Sequence, residues 1–124
     1  MKGEKGAPSD SAVIIFRDRN GRDASRAFRN GDVIGRLTQV HWKVNMFRWE
    51  PWNDQISSLK VLGGTAAAFF EHENFGGKRL LVFGPESINN LSEMPGGWND
   101  KISSVQIVPI TKNLILENVI FPPG

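Results

Sequence analysis

The sequence predicts an all-β fold of the sandwich or barrel class, and three observations support this prediction. Short runs rich in β-branched and aromatic residues follow one another along the chain. Glycine-rich and proline-containing turns separate the later runs, and no segment carries an apolar stripe with helical spacing over three turns. Many short strands joined by such turns are typical of sandwiches and barrels. At 124 residues, the chain is long enough for one domain with a modest core.

The predicted elements follow in order after a polar start. Residues 1–11 lack periodicity, so we expect a flexible N-terminal arm. A strand is predicted over residues 12–16, and Asn20-Gly21 behind it is a strong signal for a two-residue hairpin turn. Asn30-Gly31 marks a further turn. Later strands are predicted over residues 66–71, 78–83 and 102–108.

Composition excludes several classes of function. The chain has no cysteine, which excludes disulfides, zinc–cysteine sites and thiol nucleophiles. No apolar run approaches the ~20 residues of a membrane span, and the polar start lacks the apolar stretch of a secretory signal. We therefore expect no membrane partner, and either an intracellular protein or one whose leader was removed. Localisation stays open.

Charge gives no general reason to expect nucleic acid. The net charge is only +2, although seven of the eight arginines precede residue 50. These arginines could form a polyanion-binding face, but the solvated side of a hairpin is the interpretation we favour.

An internal repeat is the most informative feature of the sequence. Six of seven residues are identical between two segments 46 positions apart. The segments are Trp52-Asn53-Asp54-Gln55-Ile56-Ser57-Ser58 and Trp98-Asn99-Asp100-Lys101-Ile102-Ser103-Ser104. The beginnings of the two copies, residues 15–17 and 69–71, align at an offset of 54 rather than 46. The first copy is therefore about eight residues longer, and the extra residues lie mostly within residues 39–49.

The repeated residues have the chemistry of a calcium site. Asp54, the backbone carbonyl of Gln55 and the Ser57 hydroxyl are hard oxygen donors that a turn can direct to one point. Calcium takes six to eight oxygens, so a second segment or waters must complete the shell. Zinc prefers histidine or cysteine, which are not repeated here, and magnesium demands a stricter octahedron. A purely structural repeat would not explain these residue types.

Residues 12–109 resemble a βγ-crystallin domain. The family's calcium signature, Asn/Asp-Asn/Asp-x-x-Ser/Thr-Ser, occurs intact in both repeats, and the aromatic hairpin of the family matches the segment from Phe70 to Gly77. The resemblance implies two Greek-key motifs packed as a sandwich, with motif one at 12–62 and motif two at 66–109. Residues 110–124 would form a C-terminal extension, which could add a strand, self-associate or meet a partner domain.

The resemblance also implies two Ca²⁺ ions with pseudo-symmetric ligand sets, since the loop of one motif joins the hairpin of the other. In one site, Asp54, the Gln55 carbonyl and Ser57 would be closed by a carbonyl near Glu71. In the other, Asp100, the Lys101 carbonyl and Ser103 would be closed near Arg17. Asn53 and Asn99 would support the loops or bind through water.

The first motif departs from the family pattern. Arg17 stands where Glu71 stands in motif two, and the hairpin around Asn20 lacks the aromatic residue that Phe75 supplies. Because Arg17 and Lys101 both oppose a cation, we expect the Asp100 site to be the weaker one. One carboxylate per loop predicts affinities on the order of 10⁻⁶ to 10⁻³ M.

The function expected from these features is structural or stress-protective, with calcium stabilising the fold. The two histidines share no motif and nothing sets the separation of a carboxylate pair, so we expect no enzyme. The alternative is a carbohydrate- or protein-recognition module, or an inhibitor or antimicrobial protein, using the aromatic segment 41–49. We favour the interpretation that this segment covers the end of the core.

Overall fold

The computed structural model describes residues 11–110, and within them every regular element except short 3-10 turns is a β-strand. Residues 1–10 of the expected arm, and residues 111–124 of the expected extension, lie outside the described residues. Ten strands follow in chain order: β1 Ser11–Phe16, β2 Ser25–Arg29, β3 Val33–Ile34, β4 His41–Asn45, β5 Arg48–Pro51, β6 Ser58–Val61, β7 Thr65–His72, β8 Gly76–Phe83, β9 Glu86–Ile88 and β10 Ser104–Pro109.

Two four-stranded antiparallel sheets face each other, and each contains one strand from the opposite half of the chain. The first sheet has the order β2-β1-β6-β9 and the second has the order β3-β10-β7-β8. Strand β9 therefore leaves the second motif to join the first sheet, and β3 does the reverse. This exchange makes each motif a Greek key and confirms the predicted all-β sandwich.

Alternation along the strands places one face of each sheet in a shared core. Val13 and Ile15 of β1, and Phe69 of β7, are almost fully buried in this core. Strand β10 contributes Val105 and Ile107 in the same way. At the repeat offset of 46, Val105 and Ile107 correspond to Leu59 and Val61 of β6, which are buried in the same core from the first sheet.

The Asn20-Gly21 signal specifies the turn but not its length. Both residues have positive φ, 60° and 65°, as a type I′ turn requires. The prediction of a tight two-residue hairpin was nevertheless wrong. The two residues lie within a longer connection, residues 17–24, that contains a 3-10 turn at Arg19–Gly21. The connection folds back because Arg17 N–H donates to the Ala24 carbonyl.

The extra residues of the first repeat form a separate hairpin, β4–β5. Trp42 at its base is half-buried against the core and lies 6.1 Å from Trp52, ring centroid to centroid. Trp49 is 58% exposed and Phe47 is 90% exposed. The expectation that the segment 41–49 covers the core therefore applies to its base, while its far end is solvent-exposed.

No helix in the part of the chain that the structure describes is long and apolar enough to cross a membrane.

Substitution of a repeated core isoleucine should reduce stability strongly. Ile56 is fully buried, so Ile56→Ala removes three methyl or methylene groups and leaves a cavity, at a cost of about 2–5 kcal/mol in the free energy of unfolding. Urea denaturation measures this cost. The control Lys60→Ala, at an exposed position two residues beyond the loop, should change it by less than about 0.5 kcal/mol. Equal losses in the two variants would contradict the assignment of Ile56 to the core.

Candidate metal centre

The two repeated loops cross and exchange backbone hydrogen bonds. Asp54 N–H donates to the Ile102 carbonyl at 2.9 Å, and Asp100 N–H donates to the Ile56 carbonyl at 3.0 Å. Each donor lies in one repeat and its acceptor in the other. The buried side chains of Ile56 and Ile102 anchor the crossing in the core. The loops therefore form one unit related by a local two-fold axis.

Each loop has the same internal conformation. Gln55 N–H donates to the Trp52 carbonyl at 3.2 Å, and Lys101 N–H donates to the Trp98 carbonyl at 3.3 Å. Both repeated aspartates have a φ of 57°, in the left-handed region where Asp and Asn are tolerated better than most residues. This conformation leaves the aspartates exposed while the following isoleucine is buried.

The aspartate of each loop contacts the first serine of the other loop. The Ser57 hydroxyl donates to Asp100 Oδ1 at 3.4 Å, and the Ser103 hydroxyl donates to Asp54 Oδ1 at 3.2 Å. The sequence-based grouping differed, because it put Asp54 with Ser57 and Asp100 with Ser103. The reason is the crossing itself, which carries each aspartate over to the neighbouring loop.

The hairpins of the two motifs lie beside these pairs. Ser57 N–H donates to the Phe16 carbonyl at 3.0 Å, next to Arg17, and Ser103 N–H donates to the Phe70 carbonyl at 2.9 Å, next to Glu71. Arg17 thus adjoins the pair of Ser57 with Asp100. Glu71 adjoins the pair of Ser103 with Asp54. The structure brings together the aspartates and hairpins as the sequence grouped them, and exchanges only the serines.

The remaining predicted site residues lie within the loops. Asn53 and Asn99 are half-buried beside the buried tryptophans. The carbonyls of Gln55 and Lys101 accept no hydrogen bond among those described for residues 11–110. A backbone carbonyl without an internal donor at a partly exposed loop can bind water or a cation.

The second serine of each repeat has a role that the sequence analysis missed. The Ser104 hydroxyl donates to the His72 carbonyl at 2.7 Å and accepts from Phe75 N–H at 3.0 Å. In the same way, the Ser58 hydroxyl donates to the Asp18 carbonyl and accepts from Gly21 N–H. Each of these serines therefore fixes the folded hairpin of its own sheet. Their repetition at an offset of 46 was the available signal.

The first hairpin keeps the shape of the second despite lacking an aromatic residue. Gly21 and Phe75 occupy equivalent positions with φ of 65° and 63°. Phe75 packs edge-on against Phe70, with ring centroids 5.5 Å apart. At Gly21 the ring of Phe16 lies 3.6 Å from where a Cβ would be. Phe16 therefore fills the space, and glycine removes the conformational cost of the positive φ.

The charge of Arg17 is partly compensated by its neighbours. Its guanidinium lies 3.1 Å from a carboxylate oxygen of Asp23 and 5.3 Å from the ring centroid of Trp42. Both groups are outside the loops. The side chain therefore has partners of its own, although its positive charge stays close to the Asp100 pair.

The donor set fits a hard cation better than a soft one. Each pair combines one carboxylate with one hydroxyl, and backbone carbonyls lie in the same loops. Within residues 11–110 no group of three or more His, Cys, Asp or Glu side chains is arranged to hold a metal. Oxygen donors with a single carboxylate suit calcium, with waters completing the shell, and do not suit zinc.

Comparison with known proteins agrees with this architecture. The family profile described as Beta/Gamma crystallin matches residues 26–108. The chain belongs to the βγ-crystallin family. The resemblance noted in the sequence is thereby confirmed. No curated protein sequence matches the chain.

Solved βγ-crystallin structures share the fold. A domain from Clostridium beijerinckii is 29% identical with a TM-score of 0.59, covering 78% of this chain and 97% of that one. A domain from Flavobacterium johnsoniae is 24% identical with a TM-score of 0.59, covering 84% and 99%. A structure from work on the evolution of the eye-lens βγ-crystallin fold is 22% identical with a TM-score of 0.68, covering 88% and 96%. The latter two likenesses concern the fold alone.

Serine substitutions separate the crossed pairing from pairing within one loop. In an Asp100→Ala background, a calcium ion held at the Asp54 pair would lose an oxygen ligand with Ser103→Ala, so its affinity should fall about tenfold or more. Ser57→Ala in the same background should change the affinity little. Titration calorimetry measures both affinities. The reverse order of effects would show that ligands are grouped within each loop.

Proposed function

We propose that this βγ-crystallin domain binds two calcium ions at its crossed loops and that binding stabilises the fold. The observation that carries the proposal is the reciprocal pairing of each repeated aspartate with the first serine of the other loop. A hard oxygen pair at two equivalent positions is the start of a calcium shell. The ligand set would be Asp54 with Ser103 near Glu71, and Asp100 with Ser57 near Arg17, with loop carbonyls and water added.

Calcium bound at this place would hold the two motifs together. Each pair takes one oxygen from each repeat, so an ion at either pair bridges the halves of the sandwich. A ligand that binds only the folded state adds RT ln(1 + [L]/Kd), which is about 2.7 kcal/mol at a hundredfold excess over Kd. The role proposed is therefore structural or stress-protective rather than catalytic.

Calcium titration tests the proposal directly. Metal-stripped protein should show two binding events by calorimetry and a higher melting temperature in millimolar calcium. Asp54→Ala with Asp100→Ala should abolish both effects. The calcium-free melting temperature should also fall somewhat, because both positions have a φ of 57°, where alanine is less favourable than aspartate. The control is Glu86→Ala with Glu93→Ala, which removes two exposed carboxylates outside the loops and should leave calcium binding intact.

Two outcomes would count against the proposal. Absence of heat and of any melting shift at millimolar calcium would mean that the loops serve the fold alone. Normal binding of two ions by the double aspartate variant would put the sites elsewhere.

The two sites should differ in affinity because of the nearby cations. Arg17→Gln with Lys101→Gln removes two positive charges from the surroundings of Asp100, so binding at the weaker site should tighten by a few-fold, and less at high salt. Lys60→Gln with Lys78→Gln is the control, because both side chains are exposed outside the loops. Equal tightening by both pairs of substitutions would indicate a general charge effect rather than a local one.

A further inference from the structure

The tip of hairpin β4–β5 is apolar at a position where turns are usually polar. Met46 and Phe47 form the turn between the two strands, and the Asn45 side chain accepts a hydrogen bond from Phe47 N–H at 2.8 Å. Gly, Asn, Asp, Ser and Pro are the residues that turn geometry favours. Met46 is 74% exposed and Phe47 is 90% exposed. Neither packing nor turn chemistry explains two large apolar side chains there.

Cations and a tryptophan lie directly behind this tip. Lys43 and Trp49 are cross-strand partners, and Lys43 Nζ lies 5.9 Å from the Trp49 ring centroid. Arg48 follows the tip on β5 and lies 3.2 Å from Glu50. An apolar end followed by tryptophan and cationic side chains is the order of groups found at a lipid–water interface, where apolar chains insert and cations meet phosphate.

The base of the hairpin is held by the core. Trp42 packs against Trp52 and beneath the Arg17 guanidinium, and Trp52 N–H donates to the Val40 carbonyl at 2.8 Å, which closes the base. The hairpin is therefore anchored at its base, so binding through its tip requires less ordering of the chain than binding through an unanchored loop.

The charge of the first half of the chain favours approach of the hairpin to an anionic surface. Residues 11–62 contain nine Lys and Arg against five Asp and Glu, whereas residues 63–110 contain three against five. The positive half is the half that carries the hairpin. An anionic membrane attracts that half and repels the other.

We propose that the β4–β5 tip is a peripheral contact site for an anionic lipid surface, with Met46 and Phe47 inserted among the headgroups and Lys43 and Arg48 at the phosphates. A protruding convex tip suits a deformable surface, whereas sugars are usually bound on platforms or in clefts that supply several hydrogen bonds. The sequence-based expectation of no membrane partner came from the absence of a spanning segment. Surface contact needs only a few residues, so that absence does not bear on it.

Vesicle co-sedimentation in the presence of a calcium chelator tests the contact without involving the proposed calcium sites. The vesicles are phosphatidylcholine alone, or phosphatidylcholine with roughly one quarter phosphatidylserine. We expect the protein to pellet with the anionic vesicles and much less with the neutral ones. Met46→Ser with Phe47→Ser should weaken this binding about tenfold or more. Lys43→Gln with Arg48→Gln should remove most of the preference for anionic lipid.

Matched controls separate the tip from general surface properties. Val33 and Phe83 are 48% and 47% exposed and lie outside the hairpin, so Val33→Ser with Phe83→Ser should leave binding unchanged. Lys60→Gln with Lys78→Gln should preserve most of the anionic preference. Brominated phosphatidylcholine in the anionic vesicles should quench tryptophan emission, and Trp49→Phe should remove most of that quenching.

Two results would overturn the proposal. Wild-type protein that stays in the supernatant with both vesicles would exclude a lipid surface and leave a pocket in a partner protein as the occupant of the tip. Binding to anionic vesicles that survives the tip substitutions would show general attraction by the arginine-rich half instead. Because all measurements are made without calcium, neither result affects the proposed calcium sites.

Discussion

The reciprocal hydrogen bonds between the two repeated loops are the constraint on which the rest of this structure depends. Asp54 N–H donates to the Ile102 carbonyl and Asp100 N–H donates to the Ile56 carbonyl. Neither loop can therefore adopt its conformation without the other. The same crossing puts both isoleucines in the core and both aspartates at the surface. It also accounts for the repetition of the aspartate, the isoleucine and the first serine, since each of these three contributes to the crossing.

Each repeated segment forms hydrogen bonds both to the other loop and to a hairpin of its own sheet. These contacts explain how the side chains of the two hairpins can differ while their backbones keep the same shape. The second serine of each repeat binds two backbone groups of a hairpin, and this interaction does not depend on the residue at position 21 or 75. Gly21 and Phe75 therefore reach the same backbone conformation by different means. The variation is confined to side chains that pack outside the serine contact.

The sequence was sufficient to predict the fold class and the duplication, because the repeat preserves residue identity and spacing. It also named the aspartates and serines that the structure brings together. It was not sufficient to predict which serine meets which aspartate. Ser57 and Ser103 are identical in type and context, so only the crossing of the chain distinguishes them. The exposure of the β4–β5 tip could not be predicted from the sequence either. Alternation in residues 41–45 shows that the strand has two faces, but not how far it extends beyond the core.

The insertion in motif one is compatible with an unchanged loop because of where its ends meet. In motif two, Trp98 N–H donates to the Leu91 carbonyl at 3.0 Å. In motif one, Trp52 N–H donates at 2.8 Å to the Val40 carbonyl, which lies on the other side of the inserted hairpin in the chain. Both tryptophans are buried and begin the same loop conformation. The chain between Val40 and Trp52 beyond the Trp42 contact can therefore lengthen while the loop keeps its conformation. The tip of that hairpin makes none of the contacts that hold the crossed loops together, although its base packs on Trp52. This arrangement would let one domain combine the proposed calcium sites with the proposed lipid contact.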